Sequence, residues 1–131
     1  MKAKLLITAL MASLLTLTSG CFLVVGAAAG VAGYAYVDGE IKTTEAASLT
    51  QTYDATIAAM KDLEFTVTDK SKDALSGHVT AQTANNKTVK IKLKYLSKTS
   101  TEIRIRVDTF GDETLSRTVL NKINSQLSGG S

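Results

Sequence analysis

Apolar and polar positions recur along this chain with two different periods, after an opening stretch in which apolar residues run almost unbroken. Val89, Ile91, Leu93 and Tyr95 alternate with Lys90, Lys92 and Lys94, and Ile103, Ile105 and Val107 alternate with Glu102, Arg104, Arg106 and Asp108. A period of two puts the members of each set on opposite faces of a strand, so both segments predict strands with an apolar inner face and a charged outer one. Leu75, Gly77, Val79 and Ala81 against Ser76, His78, Thr80 and Gln82 predict another. Phe65 and Val67 against Thr66 and Thr68 predict a shorter strand that ends at a charged turn, Asp69-Lys70-Ser71-Lys72-Asp73. Asn85-Asn86-Lys87 reads as a turn, because asparagine tolerates the left-handed backbone that a hairpin needs. A first strand lies near Tyr34, Tyr36 and Val37; Asp38-Gly39 can then turn or bulge the chain, and residues 40–44 continue extended.

The period changes to that of a helix in two places. Leu49, Tyr53, Ile57 and Met60 recur at helical spacing, and Ser48 with Gln51 three residues later forms a capping-box pattern. Ala58 and Ala59 suit close approach to a sheet, Thr52, Thr56 and Lys61 are expected outward, and the helix should end near Leu63. The second helix is expected from near Gly111, where Asp112 and Glu113 suit the positive end of the helix dipole. Its apolar stripe is Leu115, Val119, Ile123 and Leu127, broadened by Leu120, before a flexible tail over residues 128–131.

Pairing obeys parity. Residues directly opposite each other on neighbouring strands share a face, so the last hairpin must pair residues whose numbers sum to an even value. A loop with an odd number of residues, centred on Lys98, is the simplest solution. Pairing Leu93 with Ile103 sets Lys94 opposite Glu102 and Lys92 opposite Arg104. The element order is β-α-β-β-β-β-α, an α+β domain: an antiparallel sheet of about five strands with two helices packed on one face. No internal repeat or linker divides it.

The opening stretch has a different character. Lys2 and Lys4 precede an apolar run over residues 5–17, too short to cross a bilayer comfortably, and Leu17-Thr18-Ser19-Gly20 leads to Cys21, the single cysteine. This order resembles the lipobox of bacterial lipoproteins, with Thr18 standing where that pattern usually has leucine. The resemblance implies a signal peptide over residues 1–20, cleavage before Cys21, and covalent diacylglycerol and N-acyl groups on Cys21. It also implies a lipid anchor in the cell envelope, and Phe22 after the cysteine points toward the outer membrane, facing the periplasm. Residues 22–37 carry no charge, and Gly26 and Gly30 stand in a GxxxG spacing. That stretch reads as a small-residue tether over residues 21–32, as a membrane-packed helix, or as part of an uncleaved span. The folded domain is expected over residues 33–127.

Composition narrows the function. Removal of a 20-residue leader from 131 residues leaves 111, enough for one small domain, and brings the fifteen basic residues to thirteen against twelve acidic. The apparent basicity thus owes much to the leader, and a globally cationic nucleic-acid binder is not expected. An acylated Cys21 leaves no thiol for redox, metal or nucleophilic work.

The outer face of the last two strands, Lys90, Lys92, Lys94, Arg104 and Arg106 tempered by Glu102 and Asp108, is the candidate ligand face. It suits an anionic envelope polymer, lipid headgroups or an acidic protein, or it is simply a solvated face that resists edge aggregation. No aromatic residue is interleaved there to stack bases. His78 is the one histidine, on an outward position and without metal-ligand spacing, and is expected to be solvated. No carboxylate pair, nucleophile motif or phosphate loop is evident, so catalysis, a cofactor, a metal and a small-molecule substrate are not expected. The expected partners are the membrane, through the lipid anchor, and an envelope protein.

Four stretches carry a broader resemblance: the lipobox at Cys21; Gly33-Tyr34-Ala35-Tyr36-Val37 with Gly39-Glu40; Ala59-Met60-Lys61-Asp62-Leu63-Glu64-Phe65-Thr66-Val67-Thr68-Asp69-Lys70 with Asp73-Ala74-Leu75-Ser76-Gly77; and Arg104-Ile105-Arg106-Val107-Asp108-Thr109-Phe110-Gly111-Asp112. Together they resemble a family of bacterial lipoproteins known as a domain of unknown function, which implies an envelope location and no established activity. The helix-to-strand passage into Leu63-Glu64-Phe65 is similar, at the level of fold, to lipoprotein C of the outer-membrane barrel-assembly machine.

Overall fold

A computed structural model describes residues 34–129. The leader, Cys21, the tether and the last two residues of the tail lie outside the described residues. The elements are β1 (Tyr34–Val37), β2 (Glu40–Glu45), α1 (Leu49–Asp62), β3 (Thr66–Lys72), β4 (Ser76–Gln82), β5 (Thr88–Ser97), β6 (Ser100–Val107) and α2 (Glu113–Gly129). The strands form one antiparallel sheet in the order β1-β2-β6-β5-β4-β3. Both helices pack on the same face of it and against each other, as expected for an α+β fold.

The core follows from the alternation. Ile41, Ile105, Ile91 and Val79 are paired in succession across β2, β6, β5 and β4, and all are buried. Val119, Leu120 and Ile123 of α2 and Leu49, Ala55, Ala59 and Met60 of α1 close over this row. The capping box is present: Gln51 N–H donates to Ser48 Oγ and Ser48 N–H donates to Gln51 Oε1, each at 3.1 Å.

The departures have physical causes. The sheet has six strands rather than about five, because Asp38 (φ 53°) and Gly39 (φ 81°) are both left-handed and form a two-residue hairpin turn; residues 34–45 are two strands. The predicted charged turn at 69–73 is strand up to Lys72, and only residues 73–75 turn. Leu75 therefore lies outside β4 and is 66 % exposed. A bulge at Thr68, between the pairs Val67–Ala81 and Asp69–Thr80, lets a charged segment stay paired at the edge. Thr52 and Thr56, expected outward, are fully buried. Their hydroxyls donate to the Ser48 and Thr52 carbonyls at 2.8 and 2.7 Å, so neither needs water and both can sit on a buried face of the helix.

The last hairpin has the expected register, Leu93–Ile103, Lys94–Glu102 and Lys92–Arg104. Its turn, however, is the two residues Lys98-Thr99, and a bulge at Leu96 supplies the parity assigned to an odd loop. α2 starts at Glu113, two residues past Gly111, with the Asp112 carboxylate accepting from Leu115 N–H at 3.0 Å; it runs on through Ser128 and Gly129.

Gly39 and Gly111 bring two backbones together. Gly111 has φ 83°, and a Cβ on it would stand 2.5 Å from Gly39 Cα and 2.6 Å from Gly39 O. Both neighbours are backbone atoms that cannot swing aside. Gly111→Ala is therefore expected to cost roughly 2–4 kcal/mol, as conformational strain and steric clash combined, read by urea unfolding. A cost below ~0.5 kcal/mol would show that this junction opens freely.

Candidate functional site

With both helices on one side, no other described element covers the opposite face of the sheet. The register sets its side chains in rows. One row runs Glu40, Arg106, Lys90, Thr80 and Asp69; the next runs Lys42, Arg104, Lys92, His78 and Ser71; the third runs Thr44, Glu102, Lys94 and Ser76. All five predicted ligand-face residues, Lys90, Lys92, Lys94, Arg104 and Arg106, thus lie on two adjacent central strands of one face. Lys42 from β2 joins them, which the sequence reading did not include because β2 had no assigned partner.

The cations are not equivalent. Glu102 is buried among them, its side chain 11 % exposed, with Arg104 Nε at 2.7 Å and Lys42 Nζ at 3.7 Å. Burial works to raise its pKa, but the Arg104 hydrogen bond and the charges of Arg104, Lys42 and Lys94 outweigh it and hold the carboxyl below its ordinary value. Glu40 lies 4.0 Å from Arg104 and 3.9 Å from Arg106. The two arginines are therefore committed to carboxylates, whereas Lys90 and Lys92 have no carboxylate within ion-pair distance among the described residues and Lys94 feels Glu102 only at longer range. The free charge of the face is on β5. Where β4, β5 and β6 approach the turn at residues 73–75, a shallow hollow of about 610 Å³ is lined by Leu75, His78, Lys92, Lys94, Arg104 and the carboxylate of Glu102.

His78 is not simply solvated. Ser71 Oγ lies 3.0 Å from its Nδ1 and Asp69 Oδ2 lies 2.8 Å from its Nε2. The bulge at Thr68 is what brings both partners to this face; uninterrupted alternation from Val67 would send Asp69 and Ser71 to the helix side. A Ser-His-Asp line resembles a nucleophile–base pair with an orienting carboxylate. Here it lies on an open sheet, with His78 42 % and Asp69 68 % exposed, so water screens it and nothing encloses a reacting carbonyl. Its evident effect is to tie edge strand β3 to β4. Among the described residues no group of three His, Cys, Asp or Glu could hold a metal ion.

Carboxylates elsewhere set the acid limb of stability. Leu75 and Ser76 N–H groups hold Asp73 below its ordinary value of 3.8, and the Leu115 N–H, then Lys87 at 2.7 Å, do the same for Asp112. Glu102 behaves likewise against an ordinary 4.5. Groups whose folded pKa is depressed stabilise the fold above the unfolded value and lose that contribution as pH falls through the folded one. Glu45 has the opposite sign: burial raises its pKa despite a hydrogen bond from Asn124. Unfolding midpoints measured against pH are thus expected to hold near neutrality and drop below about pH 4.5. Glu45→Gln should raise the neutral-pH midpoint slightly; a lowered midpoint would mean the Glu45 charge is stabilising.

The described chain is therefore an α+β domain of the two-layer kind, with one helix-covered sheet face and one open, cation-bearing face. It belongs to the family described as Protein of unknown function (DUF3568), whose model matches residues 4–126. No curated protein matches it. Among solved structures it is similar to the di-domain ARO/CYC StfQ from the steffimycin biosynthetic pathway, at 17% identity and a TM-score of 0.43. That match covers 67% of this chain and 42% of the other, so this chain spans less than half of that protein's length.

Proposed function

We propose that the chain is a lipid-anchored envelope lipoprotein, held by acyl groups on Cys21 in the outer membrane and facing the periplasm, that acts by interaction rather than catalysis. The order of Lys2, Lys4, the apolar run and Cys21 supports the anchor, and the family match begins at residue 4 and so takes in that segment. Antiparallel sheets commonly keep one face solvated, so the observation that carries the interaction reading is the charge on the face that no described element covers. The specific disposition of that face, with unpaired Lys90 and Lys92, favours an anionic envelope ligand.

The test is retention on immobilised long-chain polyphosphate as an anionic polymer probe. Lys90→Glu with Lys92→Glu is the variant of choice, because Arg104 and Arg106 hold Glu102 and Glu40 and their loss would disturb the fold. The double variant is expected to melt as the wild type does and to bind roughly fivefold more weakly for each unit of charge lost, two units per lysine reversed. Equal retention by a folded double variant would reject the anionic reading.

A further inference from the structure

We infer that one end of the sheet seats on an anionic phospholipid surface, with headgroup phosphates received by Lys92 and Lys94 in the hollow and Leu75 and Leu96 dipping toward the acyl region. This rests on the anchored reading above and adds to it where the folded domain meets the membrane.

Three observations point to the same end. The first is where the chain begins. Tyr34 pairs with Thr43, and in an antiparallel sheet the start of β1 shares its end with the close of β3, the start of β4 and the turn between β5 and β6. The described chain therefore starts at the end that carries the turns at 73–75 and 98–99. Twelve residues separate Cys21 from Tyr34, a tether that spans at most about 40 Å even fully extended. The chain coming from a lipid on Cys21 would thus enter the folded domain at this end.

The second is apolar exposure. Leu75 is 66 % exposed and Leu96, the bulged residue of β5, is 45 % exposed. They sit on adjoining segments, since Leu75 O accepts from Tyr95 N–H at 2.9 Å. Neither fills the core, and each projects from an end rather than a middle of the sheet. Interfacial binding combines such side chains with nearby cations.

The third is the sign of the charge. Lys94 lines the hollow with Leu75 and Lys92, Lys98 stands in the turn two residues after Leu96, and Lys72 closes β3. The acids at this end are Asp73, Glu45, Glu102 and, on the first turns of α1 beside Glu45, Asp54. Glu102 is neutralised by Arg104 and Lys42, and the Asp73 carboxylate accepts from Leu75 and Ser76 N–H at 2.8 and 2.9 Å. The opposite end also exposes apolar groups, Val37 and Phe110, but its loops carry Asp38, Glu64, Asp108 and Asp112 against Lys87. An anionic surface would repel that end and attract this one.

The experiment uses the full protein purified from membranes with its anchor and reconstituted into vesicles of phosphatidylcholine, alone or mixed with phosphatidylglycerol. With Cys21 acylated, Leu75→Cys supplies a single thiol for an environment-sensitive fluorophore, and Phe110→Cys reports the other end. The label at 75 is expected to shift its emission to the blue in phosphatidylglycerol vesicles and far less in phosphatidylcholine alone, while the label at 110 stays unchanged. Lys94→Glu with Lys98→Glu should weaken that response roughly fivefold per unit of charge lost, two units per lysine. A label at 75 that remains in water while the protein floats with the vesicles overturns the seating and leaves the anchor intact. A shift at 110 instead of 75 reverses the orientation and equally overturns it. Failure to float with phosphatidylcholine vesicles removes the anchored reading and this inference together. Leu96→Cys repeats the measurement if Leu75→Cys fails to fold.

Discussion

A Cys21→Ser variant is expected to accumulate as the full 131-residue chain beginning at Met1 and carrying no acyl group. On the lipoprotein reading, the sulfur receives the diacylglycerol and cleavage follows that step, so a hydroxyl in its place blocks both. The energetic consequence is large. One acyl chain gives only marginal, reversible membrane binding and each buried methylene contributes ~0.8 kcal/mol, so the anchor as a whole outweighs any surface contact of the domain. Metabolic labelling with a radioactive fatty acid should mark the wild type and leave the variant unlabelled. A Cys21→Ser chain still shortened by its leader would mean an ordinary secretory signal, with Cys21 incidental.

Within the folded domain, the largest expected loss is from Ile105→Ala. Ile105 is fully buried and pairs with Ile41 on one side and Ile91 on the other, in the middle of the row that both helices cover. Truncation removes three methyl or methylene carbons and leaves a cavity in a sheet that cannot collapse without disturbing two registers. A cost of about 3–4 kcal/mol follows. Against the 5–15 kcal/mol that typically holds a domain of this size, that lowers the thermal midpoint by roughly 15–25 °C. Calorimetric melts check it. A loss below ~1 kcal/mol would mean that the row is less tightly closed by α1 and α2 than its burial indicates.

Period and parity explain how much was legible beforehand. Alternation made the strands β4, β5 and β6 and the parity of their pairing legible, because a one-residue slip would have put Ile103 and Ile105 in water; the pairing of Lys92 with Arg104 followed only once the turn was centred on Lys98. Ser48 and Gln51 marked the start of α1 by a local reciprocal hydrogen-bond pattern. What escaped was irregular backbone. Asp38-Gly39 is equally a turn or a bulge as a string, and only the pairing of Tyr34 with Thr43 decides it. The bulges at Thr68 and Leu96 each insert one residue that no periodic pattern announces; the first of them moved Asp69 and Ser71 beside His78. Thr52 and Thr56 escaped because a threonine reads as polar, whereas here each hydroxyl is satisfied by a carbonyl of its own helix and the side chain can be buried.

The basic face was legible as a set of residues but not as an electrostatic arrangement. Lysine and arginine look alike in an alternating string. In the sheet, Arg104 bonds Glu102 across two positions of the same strand and shares Glu40 with Arg106, while Lys90 and Lys92 keep their charge for solvent or a ligand. A change of Arg104 therefore tests folding and binding at once. A change of Lys92 tests binding.

The central claim is the anchor on Cys21, and the intact mass of the protein purified from membranes tests it most directly. The account predicts the mass of residues 21–131 plus a diacylglycerol and one further acyl group. A mass that begins at Met1 and carries no lipid would contradict it.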